Sequence, residues 1–299
     1  MSIVERALGK LQSGASGTGD SRTRETNPHA VAPAPAAPHE GVAAPFARRG
    51  RIEPKESIHV NLEHLRAQGM LPPHELASFL ADEFRRIKWP LIARAREKGA
   101  DVAMRGSIIM VTSSVPDEGK SYVALNLALS IAVERDCRVL LIDTDSAKAR
   151  VSRIFGLQSH LGLTDCLKNE RAALGEFIVA TDIVGLSLLP AGRPDPSTPE
   201  LFASRRMESL LNELASEDPN AVLLLDCSPL LAKNEAQVLA RLVDHTLMIV
   251  RADRTPQPVV HDALALLDHS RPISVVLNQV APDWLGKYRG HYGYDHDAS

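Results

Sequence analysis

Six short apolar runs alternate with amphipathic stretches along most of the chain. The runs are rich in Val, Ile and Leu, which is the composition of buried β-strands. We place them at about 107–113, 138–143, 186–190, 221–226, 245–251 and 273–279. Strands that alternate with helices form parallel sheets covered on both faces. The pattern therefore predicts an α/β fold with a doubly wound, mostly parallel sheet flanked by helices.

The pattern changes towards both ends of the chain. Apolar residues share one helical face in the first residues, which predicts a short amphipathic helix over 1–12, with a frayed terminus as the alternative. Residues 13–56 are rich in Gly, Ser, Ala and Pro and lack apolar periodicity, so they are predicted to form a disordered linker. The folded domain is expected over 57–285, followed by a flexible tail over 286–299.

The first apolar run ends in a phosphate-binding pattern. Residues 114–121 read SVPDEGKS and fit the spacing of a P-loop, although Ser114 stands where the pattern has its first Gly. A Gly near the turn lets backbone N–H groups approach a phosphate, and the helix that follows points its positive dipole end at the anion. In such a loop Lys120 reaches the β- and γ-phosphates, and the Ser121 hydroxyl binds Mg²⁺.

Acidic residues follow two further apolar runs. RVLLIDTD ends in Asp143 and Asp145, and AVLLLDCSP carries Asp226. An aspartate after a strand is often only a turn residue or a helix cap. Ligands of open α/β sheets, however, lie outside the carboxyl ends of the strands, and carboxylate oxygens suit Mg²⁺. Behind a P-loop, the three aspartates therefore indicate a site for Mg²⁺ and a nucleotide.

Composition adds little to this interpretation. The chain has 299 residues, a formal net charge of −3 and no apolar run of transmembrane length, so we expect a cytoplasmic protein that does not bind nucleic acid. The three cysteines, Cys137, Cys166 and Cys227, lack metal or disulfide spacing and suit a reducing compartment. Three of the four tyrosines, Tyr288, Tyr292 and Tyr294, lie in the C-terminal segment KYRGHYGYDHD.

These motifs, in this order, resemble those of the bacterial tyrosine kinases, the autokinases of exopolysaccharide machinery, which use a P-loop ATPase scaffold. RVLLIDTD resembles the second Walker motif of that family, and LLLDCSP resembles its Walker B motif. The opening MSIVERALGKL, EFRRIKWPL at 83–91, LSLLPAG at 186–192 and the tyrosine-bearing tail resemble the exosortase-associated tyrosine autokinases.

The resemblance implies ATP-dependent autophosphorylation on tyrosine, with ATP and Mg²⁺ as cofactors. It implies catalytic roles for Lys120, Asp143, Asp145 and Asp226, with Asp143 as the base, and Mg²⁺ contacts from Ser121 and the three aspartates. The expected nucleotide contacts are Ser114, Val115, Pro116, Asp117, Glu118, Gly119, Lys120, Ser121, Tyr122 and Asn278.

The resemblance also implies assembly and partners. A helix is predicted from about Leu71, with Pro90 expected to break or kink it, and Asp82, Arg85 and Lys88 on this helix stand where the family mediates self-association into rings. The tail tyrosines Tyr288, Tyr292 and Tyr294 are the implied phosphate acceptors, used in trans. The other implied partners are an inner-membrane polysaccharide co-polymerase, which recruits and activates the kinase, and a cognate tyrosine phosphatase.

Two alternatives remain open at this point. A partition-type or positioning ATPase shares the scaffold, but it usually carries a second lysine where this chain has Val115. A catalytically weakened nucleotide-binding regulator would explain Asp117, which places a carboxylate near the triphosphate, and Ala147, where the family usually has Arg.

Overall fold

The fold was analysed in a computed structural model that describes residues 52–71, 79–96, 108–218 and 220–281. The predicted amphipathic helix over 1–12 and the tail over 286–299, with Tyr288, Tyr292 and Tyr294, lie outside the described residues. The described strands are β1 Glu56–Ile58, β2 Ile108–Ser113, β3 Arg138–Asp143, β4 Val179–Thr181, β5 Leu186–Leu189, β6 Ala221–Asp226, β7 His245–Arg251 and β8 Ile273–Asn278.

Nine α-helices connect or flank these strands within the described ranges. They are α1 Leu62–Ala67, α2 Phe79–Arg96, α3 Lys120–Ala132, α4 Arg150–Ile154, α5 Leu163–Lys168, α6 Thr198–Phe202, α7 Arg205–Glu217, α8 Asn234–Ala240 and α9 Gln257–Leu264, with a 3₁₀ turn at Leu174–Glu176. The helix α2 continues past Pro90 to Arg96, so the predicted break at this proline does not occur.

The strands form one mostly parallel sheet, as predicted. Its order is β1-β4-β5-β3-β6-β2-β7-β8, and only the β4–β5 pair is antiparallel among the described strands. The six predicted strands are confirmed to within one or two residues. The two that were missed, β1 and β4, have three residues each and are too short to give a hydrophobic period.

Alternate residues of the central strands fill two separate cores, one on each face of the sheet. In β2, Ile109 and Val111 pack in the core beneath α2 and α3, while Ile108 and Met110 pack in the core beneath α7. All six residues of β2 are buried. This two-sided burial explains why the central strands read as continuous apolar runs rather than alternating ones.

The folded region begins slightly before the predicted boundary at residue 57. β1 starts at Glu56, and the Lys55 N–H donates to the Gly175 carbonyl at 2.8 Å. The Ile52 N–H donates to the Glu217 carboxylate, on α7, at 2.5 Å. The last residues of the predicted linker therefore form part of the sheet edge.

Among the described residues, no helix is both long enough and apolar enough to span a membrane. The three cysteines are buried free thiols.

Candidate active site

The phosphate-binding loop connects the central strand β2 to α3. α3 begins at Lys120, and Gly119, at its N-terminus, has a left-handed φ of 89°. The backbone geometry therefore favours glycine here, and a Cβ at Gly119 would also lie 2.1 Å from the Asn278 Nδ2 atom and would displace that amide. Asp117 is left-handed too, with φ 65°, a geometry that aspartate tolerates better than most residues.

The three predicted carboxylates converge beside this loop. Asp143 and Asp226 end the adjacent strands β3 and β6 and are paired in register, and β6 lies next to β2. The chain after β3 is tied to β6, because the Thr144 N–H and hydroxyl both donate to the Asp226 carbonyl, at 3.0 and 2.9 Å. Asp145 follows on this connection and is also buried.

Asp226 is the most exceptional polar group of the site. Its side chain is 1% exposed, and neither carboxylate oxygen has a hydrogen-bond partner within the described part of the chain. Burial raises the pKa of Asp226 to about 7, and the charge of Asp143 adds to this rise. Lys120 and the nearby Ser121 hydroxyl, which lies outside hydrogen-bonding geometry, oppose it. A buried carboxylate without donors is costly in an empty site and is suited to a cation or to cation-bound water.

Asp143 is held differently. Its Oδ2 accepts bonds from the Ser152 N–H and hydroxyl, each at 2.8 Å, and its Oδ1 accepts from the Asp145 N–H at 3.2 Å. Burial nevertheless raises the pKa of Asp143, and these hydrogen bonds oppose the rise. The Ser152 hydroxyl also accepts from the Ala191 N–H at 3.0 Å, so Ser152 fixes the orientation of Asp143.

The residues present fit Mg²⁺ completed by phosphate oxygens. Ser121, Asp143, Asp145 and Asp226 offer the hard oxygen ligands that Mg²⁺ prefers. Within the described residues, no three His, Cys, Asp or Glu side chains converge closely enough to hold a metal ion by themselves. This donor set suits Mg²⁺ that enters with a nucleotide, because Mg²⁺ is usually bound by one or two carboxylates with waters and substrate phosphates.

Four cationic residues lie beside the phosphate loop or the carboxylates, and only one of them was predicted as a site residue. The predicted Lys120 lies with its Nζ 3.4 Å from the Ser121 hydroxyl. Lys233, before α8, forms an ion pair with Asp145, with 3.6 Å between Nζ and Oδ1. Lys148 and Arg150, together with Lys120, line a cavity beside the phosphate loop; Lys233 and the three aspartates are not among its lining residues. No motif marks Lys148, Arg150 or Lys233, although Lys148 lies close to the position where the resembling family has Arg.

The cavity has a volume of about 660 Å³ and is bounded by the phosphate loop, α2 and the end of β8. Of the predicted nucleotide contacts, the following line it: Pro116, Asp117, Gly119, Lys120, Ser121, Tyr122 and Asn278. Ser114 is fully buried beneath the loop, and Glu118 is 1% exposed. Val115 is partly buried, and its N–H donates to the Glu118 carboxylate at 2.9 Å.

One residue of the predicted self-association surface is placed differently from the prediction. Asp82 and Arg85 form an exposed ion pair on α2, 2.8 Å apart. Lys88, however, is only 2% exposed. Its Nζ donates to the Ser130 carbonyl at 2.7 Å and lies 2.8 Å from the Glu134 carboxylate. Its ammonium therefore joins α2 to α3 within the fold and does not face a neighbouring subunit.

The chain was compared with known sequences and structures. No family model matches the chain. Its sequence is 29% identical over 189 residues to the putative tyrosine-protein kinase CapB of Staphylococcus aureus, a match that covers 62% of this chain and 81% of CapB. The VpsO kinase domain, a solved structure, superposes with a TM-score of 0.54 at 29% identity, covering 68% of this chain and all of that domain.

This chain is a homologue of the bacterial tyrosine-protein kinases. The predicted family and the prediction of a protein-tyrosine kinase are thereby confirmed. The resemblance to the exosortase-associated group stays a prediction. The MinC:MinD cell division complex of Aquifex aeolicus is a more distant neighbour, with a TM-score of 0.51 at 20% identity over 61% of this chain, and it shows the shared fold alone.

Some relatives are much longer than this chain. The succinoglycan biosynthesis transport protein ExoP of Rhizobium meliloti is 31% identical over 203 residues, which are 65% of this chain and only 25% of ExoP. The aligned part is therefore about a quarter of ExoP, and the properties of the remaining part of ExoP cannot be assigned to this chain.

Proposed function

We propose that this protein is an ATP-dependent protein-tyrosine autokinase that regulates exopolysaccharide synthesis or export. One observation supports the proposal most strongly: Asp226 keeps both carboxylate oxygens buried without a donor, beside Lys120 and at the strand end that adjoins the phosphate loop. This is a costly arrangement unless a cation and a phosphate complete it. Its occurrence in a homologue of tyrosine kinases supports phosphoryl transfer from Mg²⁺-ATP.

Each residue of the site has a separate role in this transfer. The loop backbone and Lys120 bind and orient the phosphates, and positioning and charge stabilisation supply most of the catalysis in such reactions. Ser121, Asp145 and Asp226 would hold Mg²⁺, which neutralises charge on the phosphate oxygens when bound. Asp143, held in place by Ser152, would accept the proton of the incoming tyrosine hydroxyl. Asn278 borders the cavity and would contact the adenine.

The proposed acceptors are Tyr288, Tyr292 and Tyr294. They follow the end of β8 at Asn278 by ten residues or more, and an extended chain covers at most roughly 3.3–3.6 Å per residue, so the tail is long enough to reach a neighbouring molecule. We therefore propose transfer in trans, within a ring-like oligomer that uses the exposed pair Asp82 and Arg85. Each phosphate adds nearly two negative charges, so phosphorylated tails would repel one another and loosen the assembly.

A mixing experiment tests the transfer in trans. Lys120→Met protein, which keeps its tail tyrosines but should not transfer phosphate itself, is incubated with Mg²⁺-ATP and a protein whose three tail tyrosines are replaced by Phe. Phosphotyrosine should appear on the Lys120→Met chain only in the mixture, as read by mass spectrometry of differently tagged chains. An unlabelled Lys120→Met chain in a mixture with an active partner would show that transfer in trans is wrong.

The proposed partner is an inner-membrane polysaccharide co-polymerase, with a cognate tyrosine phosphatase reversing the reaction. Two of the similar proteins are a chimera named CapA2B2, with a TM-score of 0.57, and the transport protein ExoP, whose name refers to succinoglycan biosynthesis. The co-polymerase would recruit this protein from the cytoplasm to the inner face of the membrane. Fractionation of a strain without the co-polymerase tests this step, because unchanged membrane association would contradict recruitment by that partner.

A further inference from the structure

Glu118 is an unusual residue for a phosphate-binding loop. It lies between the exposed Asp117 and the positive-φ Gly119, yet its side chain is only 1% exposed. Carboxylates are almost never fully buried unless they are paired. No ion pair to Glu118 is found within the described ranges, so neutral N–H and O–H groups bind its carboxylate there.

Three donors bind this carboxylate, and they come from two parts of the fold. The Val115 N–H, in the same loop, donates to Oε2 at 2.9 Å. The Arg251 N–H, at the end of β7, donates to Oε1 at 3.1 Å, and the Thr255 hydroxyl donates to the same oxygen. Hydrogen bonds to charged groups are about twice as strong as neutral ones. The side chain therefore joins the phosphate loop to the segment between β7 and α9.

The backbone of Glu118 makes a third connection. Its carbonyl accepts from the Asn278 Nδ2 at 2.9 Å, and the Asn278 carbonyl in turn accepts from the Ala252 N–H at 2.9 Å. The ends of β2, β7 and β8 are thus tied together around one residue. Asn278 also lines the cavity, so this connection reaches the wall of the candidate nucleotide site.

The bond to Val115 has a direct effect on the loop. It closes a short ring inside the loop, next to Asp117 and Gly119, which both have left-handed backbones. Left-handed backbone in a non-glycine residue persists only where surrounding contacts hold it. Glu118 supplies such contacts from inside the loop, and through Arg251 and Thr255 it supplies them from outside.

We propose that Glu118 is a positioning residue for the nucleotide: its carboxylate holds the phosphate loop in the shape that receives the triphosphate and locks this loop to the ends of β7 and β8. This inference rests on the proposed function. The adjacent Asp117 provides the contrast, because it is exposed and borders the cavity, where its charge repels the phosphates. Two neighbouring acidic residues are therefore assigned opposite effects on nucleotide binding.

Titration with fluorescently labelled Mg²⁺-ADP tests the proposal. Glu118→Gln offers one carbonyl oxygen where the carboxylate offers two acceptors, and loss of a charge-assisted bond should weaken binding about tenfold to a hundredfold. Thr255→Val removes one donor and should weaken binding several-fold. The double variant should bind more tightly than the product of the two single effects predicts, because the two residues share one contact. Asp117→Asn should bind more tightly than the unaltered protein.

Two further readouts separate positioning from mere loss of stability. For autophosphorylation, Glu118→Gln should raise the KM for ATP much more than it lowers kcat. Thermal unfolding without nucleotide shows which variants are folded, and if Glu118→Gln fails to fold, the Thr255→Val titration decides. Unaltered Mg²⁺-ADP affinity in the folded variants would overturn the inference alone. Failure of the unaltered protein to bind any nucleotide would overturn the proposed function, and this inference with it.

Discussion

Replacement of Asp226 by Asn should stabilise the ligand-free protein while abolishing its response to Mg²⁺-ATP. The carboxylate is buried, has no hydrogen-bond donor among the described residues, and has its pKa raised to about 7 by burial. A carboxyl whose pKa is raised in the folded state costs stability as pH rises from its unfolded pKa to its folded pKa. The cost is absent below about pH 4 and complete above about pH 7.

The magnitude follows from the size of the pKa change. The rise from 3.8 to about 7 spans about three pH units, at about 1.4 kcal/mol each, which gives a ceiling of about 4 kcal/mol at alkaline pH. The buried amide of Asn costs about 1–3 kcal/mol if its N–H groups find no acceptor, and this cost offsets part of the gain. A net stabilisation of about 1–3 kcal/mol remains, which corresponds to a rise in Tm of roughly 2–10 °C.

The assay is thermal unfolding at about pH 8 and about pH 4.5, in EDTA for the ligand-free protein and without EDTA for the protein with added Mg²⁺-ATP. Asp182→Asn is the matched control, because the Val60 N–H lowers the pKa of that exposed carboxyl, so its loss should not stabilise the protein at alkaline pH. Equal effects of Asp226→Asn at both pH values, or destabilisation at about pH 8, would refute the burial argument. So would a full rise in Tm of this variant with Mg²⁺-ATP.

Three further substitutions, two of them paired with a control variant, test the geometry. Gly119→Ala should weaken nucleotide binding measured by titration, since its Cβ would displace the Asn278 amide from the Glu118 carbonyl, whereas Gly156→Ala, with φ 73° but open space, should cost only backbone strain and keep binding. Lys88→Met should lower Tm by leaving its buried contacts unmade, whereas Arg86→Ala, at an exposed position of the same helix, should leave the Tm unchanged within error; the reverse order would contradict the burial of Lys88. Ser152→Ala should lower kcat about tenfold or more at a stability cost of about 1 kcal/mol, and an unchanged kcat would remove its positioning role.

The fold could be predicted from the chain because its central strands are buried on both faces. Such strands give apolar runs that need no knowledge of their neighbours. The edge strand β8 is partly exposed, and it was located because it is equally rich in Ile, Val and Leu. β1 and β4 could not be found in this way, because a strand of three residues is defined by its partners rather than by its own pattern. The continuation of α2 past Pro90 likewise depends on packing against α3, which local propensity does not include.

The site was predictable where motif and topology coincide. Lys120, Ser121 and the three aspartates follow three strands whose carboxyl ends meet, so the sheet order brings them together. The contacts that tune them were not predictable: Ser152 and Lys233 reach the carboxylates from segments that carry no motif. Lys88 shows the opposite error, since its sequence position suggested a surface contact while tertiary packing buries its ammonium.

The central claim is transfer of phosphate from ATP to tyrosine at this site. The most direct measurement is incubation of the purified protein with γ-labelled Mg²⁺-ATP, followed by mapping of phosphotyrosine and release of free phosphate. The account predicts label on Tyr288, Tyr292 and Tyr294, and at least about a hundredfold less in Lys120→Met protein that remains folded. Release of free phosphate without phosphotyrosine, or full labelling of Lys120→Met protein incubated alone, would contradict it.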